Sequence, residues 1–434
     1  MNPKTRIRSL LIRYIASNTY REKRNKAART IRIKKKQRPI VHYFHEVGDP
    51  YSHLAAQKLD QLRECYDIEF KPHLVSKTDN SYQGDPKNFE RWRWRDAQLI
   101  AHSYKTNFSP TKSTLDPNQI RIANLALSKH LQNADFATKA IELENSLWTG
   151  ITLTSSDRQS SNPTVKSGTH LRKQLGHYLG AMFFFEGEWF WGLDRLRLLE
   201  ERLILEGFDR GYGLCVPEPC PESLGRKDSS KVTLEYFPSL RSPYTAAGHQ
   251  RVLNLVARSG VRIKVRPVMP MLMRGIPAPN NKKRYIVMDA SREARAHGVP
   301  FGKIIDPFGE PVKRALAIFP YASKNNKAME FITAYIDAAW YKGIDVSTKG
   351  GLEAVTSNAG LEPRSLSHIL TKDIEESNEL LAKNLETMLE SNLWGVPSFR
   401  ISGGEFDEPT SFWGQDRIWR VENEIAKRSS ESVN

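Results

Sequence analysis

The stretch FPSLRSPYTAAGHQ, residues 237–250, decides how the chain is to be read. It closes the run VTLEYF (232–237), whose side chains alternate as they do on the two faces of a strand. It then passes through Ser242-Pro243-Tyr244-Thr245 into a segment whose Val252, Leu255 and Val256 share one helical face, with Gly260 as a stop signal. Beyond that, VRIKVRPV alternates again, with Val261, Ile263 and Val265 on one face and Arg262, Lys264 and Arg266 on the other. Strand, helix and strand make a βαβ unit, which calls for parallel strands and a right-handed crossover. The Ser-Pro step at the helix mouth reads in two ways: an N-cap with proline at N1, or a reactive hydroxyl held at the positive end of a helix.

The same plan occurs earlier in the chain. VHYFHEVGDPYSHLAAQKLDQL starts at Val41, and a constant offset of 193 lays Tyr43-Phe44 on Tyr236-Phe237 and Asp49-Pro50-Tyr51-Ser52 on Ser242-Pro243-Tyr244-Thr245. The offset also lays LWTG, ending at Gly150, on WYKG, ending at Gly343. Late in each half, Trp-Gly-x-Asp-Arg recurs, at Trp191–Arg195 and Trp413–Arg417. Three matches in the same order point to a tandem duplication. Each copy reads as βαβ, a helical insertion and a closing ββα, an α/β plan. The expected boundaries are a basic arm at 1–38, unit one at 39–208, a Pro-, Gly- and Ser-rich linker at 209–230, unit two at 231–428 and a tail at 429–434.

The 434 residues, 39% hydrophobic and 26% charged, allow two buried cores. No run approaches the ~18 apolar residues of a membrane helix. The formal charge of +16 is localised: residues 1–38 hold fourteen Lys or Arg against Glu22 alone, while the other 396 residues carry 51 bases and 48 acids. The folded body is therefore nearly neutral, and no specific nucleic-acid partner is expected of it. The arm reads as a solvated basic tail, with weak contact to an acidic surface as the other reading. Its apolar patch, Leu10 to Ile15, is broken by Arg13 and is no secretory h-region. Cys65 stands alone, and Cys215 and Cys220 enclose four residues, not the two of a redox dithiol or a zinc knuckle. The odd cysteine count points to a reducing compartment, the cytoplasm. His42, His45, Glu46, Asp49 and His53 invite a metal, but His42 and His45 would point to opposite faces of one strand. No metal site is expected.

Taken together, the pieces resemble the DsbA-like thioredoxin-fold superfamily, and within it the 2-hydroxychromene-2-carboxylate isomerases and kappa-class glutathione transferases. The resemblance runs from Val232 to about Ile425 on SPYT, RYIVMDASREARAHGVPF, AYIDAAWYKGIDVSTKGGLEAVTSNAGLE, GVPSF and FWGQDR; the first copy keeps DPYSHLA and FWGLDR. It implies two tandem thioredoxin-like folds, each with an inserted helical subdomain. Redox members of the superfamily carry Cys-Pro-x-Cys at the helix mouth. Here Ser242 and Thr245 hold the two thiol positions, and Asp49 and Ser52 hold them in the first copy. Hydroxyls cannot exchange with disulfides, so a disulfide oxidoreductase is the least favoured reading.

The resemblance implies instead a glutathione-dependent isomerase or transferase acting on a small aromatic or conjugated substrate. Glutathione would serve as thiol cofactor or cosubstrate, its thiolate at the helix N-terminus, where an anion is favoured. Ser242 would be the catalytic donor to that sulfur. A charge-assisted bond of this kind is worth ~1.5–3 kcal/mol, about one or two pKa units. By the same resemblance, Tyr244 and Thr245, just after the serine, belong to the glutathione-binding set, and Val396 precedes a cis Pro397 and pairs its backbone with the cysteinyl backbone of the ligand. Gln415 and Asp416 take the γ-glutamyl end, and Asn280 the glycyl end. In the first copy Asp49 would repel a thiolate and Met182 stands at the place of Pro397, so that copy is expected to be a degenerate scaffold or lid. The competing reading, from another class, is a non-catalytic binding or scaffold protein. The two copies would form an intrachain pseudo-dimer, with a homodimer of whole chains left open.

Overall fold

A computed structural model describes residues 3–112, 114–154, 162–222, 227–363, 366, 369–370 and 374–431. Contacts divide the chain into two units: Arg21–Pro219, here the N-terminal unit, and Met1–Tyr20 joined with Cys220–Asn434, here the C-terminal unit. The chain opens with α1 (Pro3–Ala16), in the C-terminal unit, and α2 (Asn18–Lys34), whose residues from Arg21 onward belong to the N-terminal unit.

In the N-terminal unit β1 (Ile40–His45) leads into α3 (Pro50–Ala56) and α4 (Leu59–Cys65), then into β2 (Glu69–Leu74), parallel to β1. The insertion holds α5 (Pro86–Ala101), α6 (Pro117–Ser128), α7 (Phe136–Thr149) and α8 (Pro163–Gln174). The antiparallel hairpin β3 (Met182–Phe185) and β4 (Glu188–Trp191) and the helix α9 (Leu196–Leu205) close the unit. The sheet order is β2-β1-β3-β4.

The C-terminal unit begins with a two-residue strand, β5 (Lys227–Asp228), followed by β6 (Val232–Phe237), α10 (Pro243–Ser259), β7 (Arg262–Val265) and α11 (Asn280–Ala296). Helices at Glu310–Lys324, Ala328–Ile336, Lys349–Asn358 and Ile374–Glu390 make its insertion. Their core gathers Ile304, Phe319, Tyr335 and Trp340 with Leu240 and Ala246 from the helix mouth. β8 (Ser398–Gly403) and β9 (Phe406–Trp413) follow, then a helix at Ile418–Arg428 and β10 (Ser430–Glu431), which pairs with β5. The main sheet has the order β7-β6-β8-β9, the same topology as in the N-terminal unit.

The two sheets also share register. Ile40 lies opposite Glu69 in one, and Thr233 opposite Arg262 in the other, the same rung at an offset of 193. Helix starts follow one local recipe, a capping oxygen followed by proline. Asp49-Pro50, Asp85-Pro86, Asp116-Pro117, Asn162-Pro163 and Ser242-Pro243 each start a helix, and each cap accepts a bond from a first-turn N–H.

Four expectations change. The basic arm is helical rather than a solvated tail, because its cations reach buried carboxylates. In the C-terminal unit Arg8 pairs with Asp306; in the N-terminal unit Arg32 Nε donates to Glu186 at 2.5 Å and Asn25 to Glu188 at 3.1 Å. Cys65, read as solitary, is bonded to Cys215 across 150 residues, which leaves Cys220 as the free cysteine. That pair removes the ground on which a count of three argued for a reducing compartment. Met182 does not stand at the place of Pro397. It pairs with Phe44 and Trp191, as Ser398 pairs with Phe237 and Trp413. The residue matching Pro397 is Ala181, since Gly192 N–H donates to Ala181 O at 2.8 Å and Gly414 N–H to Pro397 O at 2.9 Å. Finally, Arg266 leaves the polar face of its strand and is buried against Glu235. No helix among the described residues is long and apolar enough to cross a membrane.

Candidate functional site

The helix mouth of the C-terminal unit is assembled by β6, the turn Pro238–Arg241, the start of α10 and the loop before β8. Ser242 is extended, with φ −91° and ψ 120°, and its Oγ accepts from Thr245 N–H at 3.2 Å. Pro243 fills N1, where a missing N–H costs nothing. The same hydroxyl donates to the Val396 carbonyl at 3.4 Å, and the Val396–Pro397 peptide is cis. Ser242, Val396 and Pro397, distant in sequence, are thus brought together. The contact from Ser242 to Val396 is long for an O–H···O bond, so the hydroxyl loses little by turning to a better acceptor. Arg241, the residue before, is held away by a bidentate pair with Asp306 at 2.7 and 3.1 Å.

The remaining residues singled out by the sequence pack around this core. Thr245 is fully buried, and its Oγ1 accepts from Ser239 N–H at 3.3 Å. Tyr244 Oη donates to Asp289 at 2.9 Å, and Asp289 is braced by Arg292 at 2.7 Å. Gln415 is buried: its Oε1 accepts from Arg251 at 3.0 Å, and its Nε2 donates to Glu293 at 3.3 Å and to Asp416. It lies over Gly248, where an added Cβ would come within 2.7 Å of the Gln415 Cβ, so α10 needs glycine there for this close approach. Asn280 is exposed at the first position of α11. One turn in, burial lowers the Lys282 amine to about 8.

Arg274 escaped the sequence reading. Its Nη2 donates to Trp394 O at 2.8 Å, two residues before Val396. Burial lowers its pKa from the ordinary arginine value, and its buried Nε has no hydrogen-bond partner among the described residues. A guanidinium with a donor to spare beside a helix mouth adds positive charge for an anion. MLMRGIPAPN carries no periodicity and no family motif, so nothing in the sequence marks this arginine.

The N-terminal unit fills its own mouth. Asp49 caps α3, accepting from Ser52 N–H at 2.9 Å and Ser52 Oγ–H at 2.8 Å, and pairs with Arg93 at 3.2 Å. Ser52 Oγ in turn accepts from Glu46 N–H at 3.2 Å and Ala181 N–H at 2.9 Å. Burial, reinforced by the Asp49 charge, pushes the Glu46 carboxyl up to about 7. Gly180 leaves room for it: an added Cβ would come within 2.6 Å of the Glu46 Cβ. A cavity of about 750 Å³ opens alongside, lined by Glu46, Arg93 and Trp94 with Lys87, Arg121 and Asn124. The histidines of the apparent metal cluster are spent on protein partners. His42 bonds His73 at 2.9 Å, and His53 meets Glu144 at 3.2 Å. No group of three or more metal-ligating side chains lies among the described residues.

Residues 233–426 match the family model described as a DSBA-like thioredoxin domain. No curated protein is similar in sequence. Among solved structures, a 2-hydroxychromene-2-carboxylate isomerase is 20% identical, with 45% of this chain and 95% of that chain covered and a TM-score of 0.37. A probable DsbA oxidoreductase from Streptomyces coelicolor is 14% identical, over 47% and 93%, with a TM-score of 0.36. A cytosolic disulfide reductase, DsbM, from Pseudomonas aeruginosa, in a structure with GSH, is 15% identical, over 45% and 99%, with a TM-score of 0.33.

Proposed function

We propose, on the premise that residues 233–426 form a DSBA-like thioredoxin domain, that the C-terminal unit is a glutathione-dependent isomerase or transferase for small conjugated or aromatic substrates. The observation that carries the proposal is Ser242 Oγ, at a helix mouth, which caps α10 through Thr245 N–H and donates its own proton in a long bond to the Val396 carbonyl. The residues present fit a thiol ligand in part. Ser242, Arg274 and the first turn of α10 supply donors and positive charge on one side, and the Val396 backbone supplies a strand-like edge. Thr245 and Gln415 are buried with their polar atoms engaged, so they shape the site rather than touch a ligand. Neither residue at the two thiol positions is cysteine, so disulfide exchange has no sulfur of the protein's own there.

When bound, the thiol would supply nucleophilic addition to the conjugated system; in an isomerase it would be eliminated unchanged, and in a transferase the new C–S bond would be kept and the thiol consumed. The protein's part is electrostatic. Ser242 O–H donates to the sulfur, and the positive end of α10 holds it deprotonated. Arg274 anchors a carboxylate or shields the charge. The shared register of the two sheets supports an origin by tandem duplication. In that account the N-terminal unit, plugged by Asp49, Glu46 and Arg93, is a covalently attached scaffold.

The test is thermal unfolding with rising glutathione, compared between the natural protein and Ser242→Ala. A ligand that binds only the folded state raises the midpoint in proportion to the logarithm of its concentration. The second reading is a binding module without catalysis, and the cavity in the N-terminal unit favours it. If glutathione at about ten millimolar produces no shift, the first reading fails and the second stands.

A further inference from the structure

Among the described residues, six of the twelve exposed large hydrophobic side chains lie between Ile7 and Ile33, in the segment that also carries the charge excess. Four of them, Ile7 (69% exposed), Leu10 (54%), Leu11 (57%) and Tyr14 (44%), fall at i, i+3, i+4 and i+7 of α1. That spacing is one continuous helical stripe. The helix does not need this stripe to dock. Its opposite side does so: Ser9 Oγ accepts from Asp306 N–H at 3.0 Å, Arg13 Nε donates to Ile304 O at 2.7 Å, and Arg295 donates to Ala16 O at 3.0 Å. Ile12 and Ala16 pack into the core from that side. α1 is thus fixed to the C-terminal unit by one face and presents a second apolar face outward, flanked by exposed Lys4 and Arg6.

We propose that α1 seats the protein on an anionic lipid bilayer, with Ile7, Leu10, Leu11 and Tyr14 in the headgroup–acyl boundary and the basic side chains against acidic headgroups. Three occupants can be told apart by what they would use. A nucleic acid would use the charge and have no use for the stripe. A second copy would use the stripe but bring a second arm with thirteen net positive charges against the first. An acidic bilayer uses both, and apolar face with basic flank is the pattern of an interfacial helix. Docking through the opposite side means that no unfolding of α1 is required.

The test is flotation of the full-length protein with phosphatidylcholine vesicles, with and without phosphatidylglycerol. The protein should float with the anionic vesicles, not the neutral ones, and release in high salt. Replacing Leu10 and Leu11 together by serine keeps every charge and alters only exposed side chains. It should leave the thermal midpoint unchanged and lower vesicle partitioning about tenfold or more. Lys4→Glu with Arg6→Glu should lower it as well. Absence of flotation with anionic vesicles overturns the proposal. So does flotation that the serine pair leaves intact, which would mean charge alone. A dimer dissolved by the serine pair overturns it in favour of a second copy. A short DNA duplex that binds equally well to both proteins, in the absence of flotation, assigns the arm to nucleic acid.

Discussion

The side-chain pair that bridges the first two strands is ionic in one unit and aromatic in the other. In the C-terminal unit Glu235 takes a bond from Arg266 at 2.6 Å and another from Arg400. At the positions 193 residues earlier stand His42 and His73, ring to ring at 2.9 Å, beside Phe44 and Phe184. At the helix mouths the charges are on the other side of the comparison, in the N-terminal unit. Ser239 and Val396 in one unit correspond to Glu46 and Gly180 in the other, so a large side chain has moved from one wall to the opposite wall. What has not changed is the frame: the Tyr-to-Asp bond recurs as Tyr244–Asp289 and Tyr51–Asp96 at 2.9 and 2.7 Å. So does the bond from the backbone N–H of Ser239 or Glu46 to the hydroxyl of Thr245 or Ser52. The comparison teaches that strand register and a few hydroxyl bonds hold the fold, while any buried set that satisfies itself can replace another. It also separates a cap whose hydroxyl donates one long bond, Ser242, from a cap held by an ion pair, Asp49 with Arg93.

The largest difference should appear in catalysis. Ser242→Ala is expected to cut glutathione-dependent turnover about 10- to 100-fold, the loss of one charge-assisted hydrogen bond. Asp49→Asn, which keeps a capping oxygen in the N-terminal unit, should leave turnover unchanged; steady-state kinetics on both variants decides. Next comes the covalent link. Cys65→Ser should cost ~2–4 kcal/mol, and hydrogen exchange should place the loss in the N-terminal unit. Equal loss in both units would show that they unfold as one. Gly180→Val forces a Cβ against Glu46 and should destabilise the N-terminal unit by ~1–3 kcal/mol. Adding Glu46→Ser should recover most of that in a denaturant titration. No recovery would break the proposed exchange of walls.

The smallest effect is on pH dependence. Burial lowers His42 to about 4 and His73 to about 3, from an ordinary 6.5. Both are therefore neutral when folded, and the unfolded chain binds their protons first. Their contribution is present above pH 6.5 and is lost as pH falls through those values. Glu46, raised to about 7, works in the opposite sense, its contribution complete at low pH and lost as pH rises through 7. Replacing both histidines by phenylalanine should flatten the acid-side fall in the thermal midpoint. An unchanged fall would place the titrating groups elsewhere, for instance at buried His249, lowered to about 4.

The frame was legible because it rests on period and punctuation. Alternation marked β6, Ser242-Pro243 and its counterpart Asp49-Pro50 marked two helix starts, and the offset of 193 marked the shared rungs. The meeting of Ser242 with Val396 was legible from the family resemblance, since 154 residues separate them and no local signal joins them. Arg274 was not legible, because a buried cation in an irregular loop has no pattern to announce it. The place of Ala181 was misread because the glycines of GAM and GVP look equivalent, whereas the ladder sets Met182 on the rung of Ser398 and so puts Gly180 at the place of Val396 rather than of Gly395. Docking of the basic arm was missed because its acceptors, Asp306 and Glu186, are far off in sequence.

The central claim is that the mouth of α10 lowers the pKa of a thiol that the protein does not own. A pH titration of glutathione bound to the full-length protein, read by thiolate ultraviolet absorbance, tests it directly. The account predicts a pKa about one to two units below that of the free thiol, moved back toward the free value in Ser242→Ala. A bound thiol that titrates as it does in solution, or one that Ser242→Ala leaves equally acidic, would contradict it.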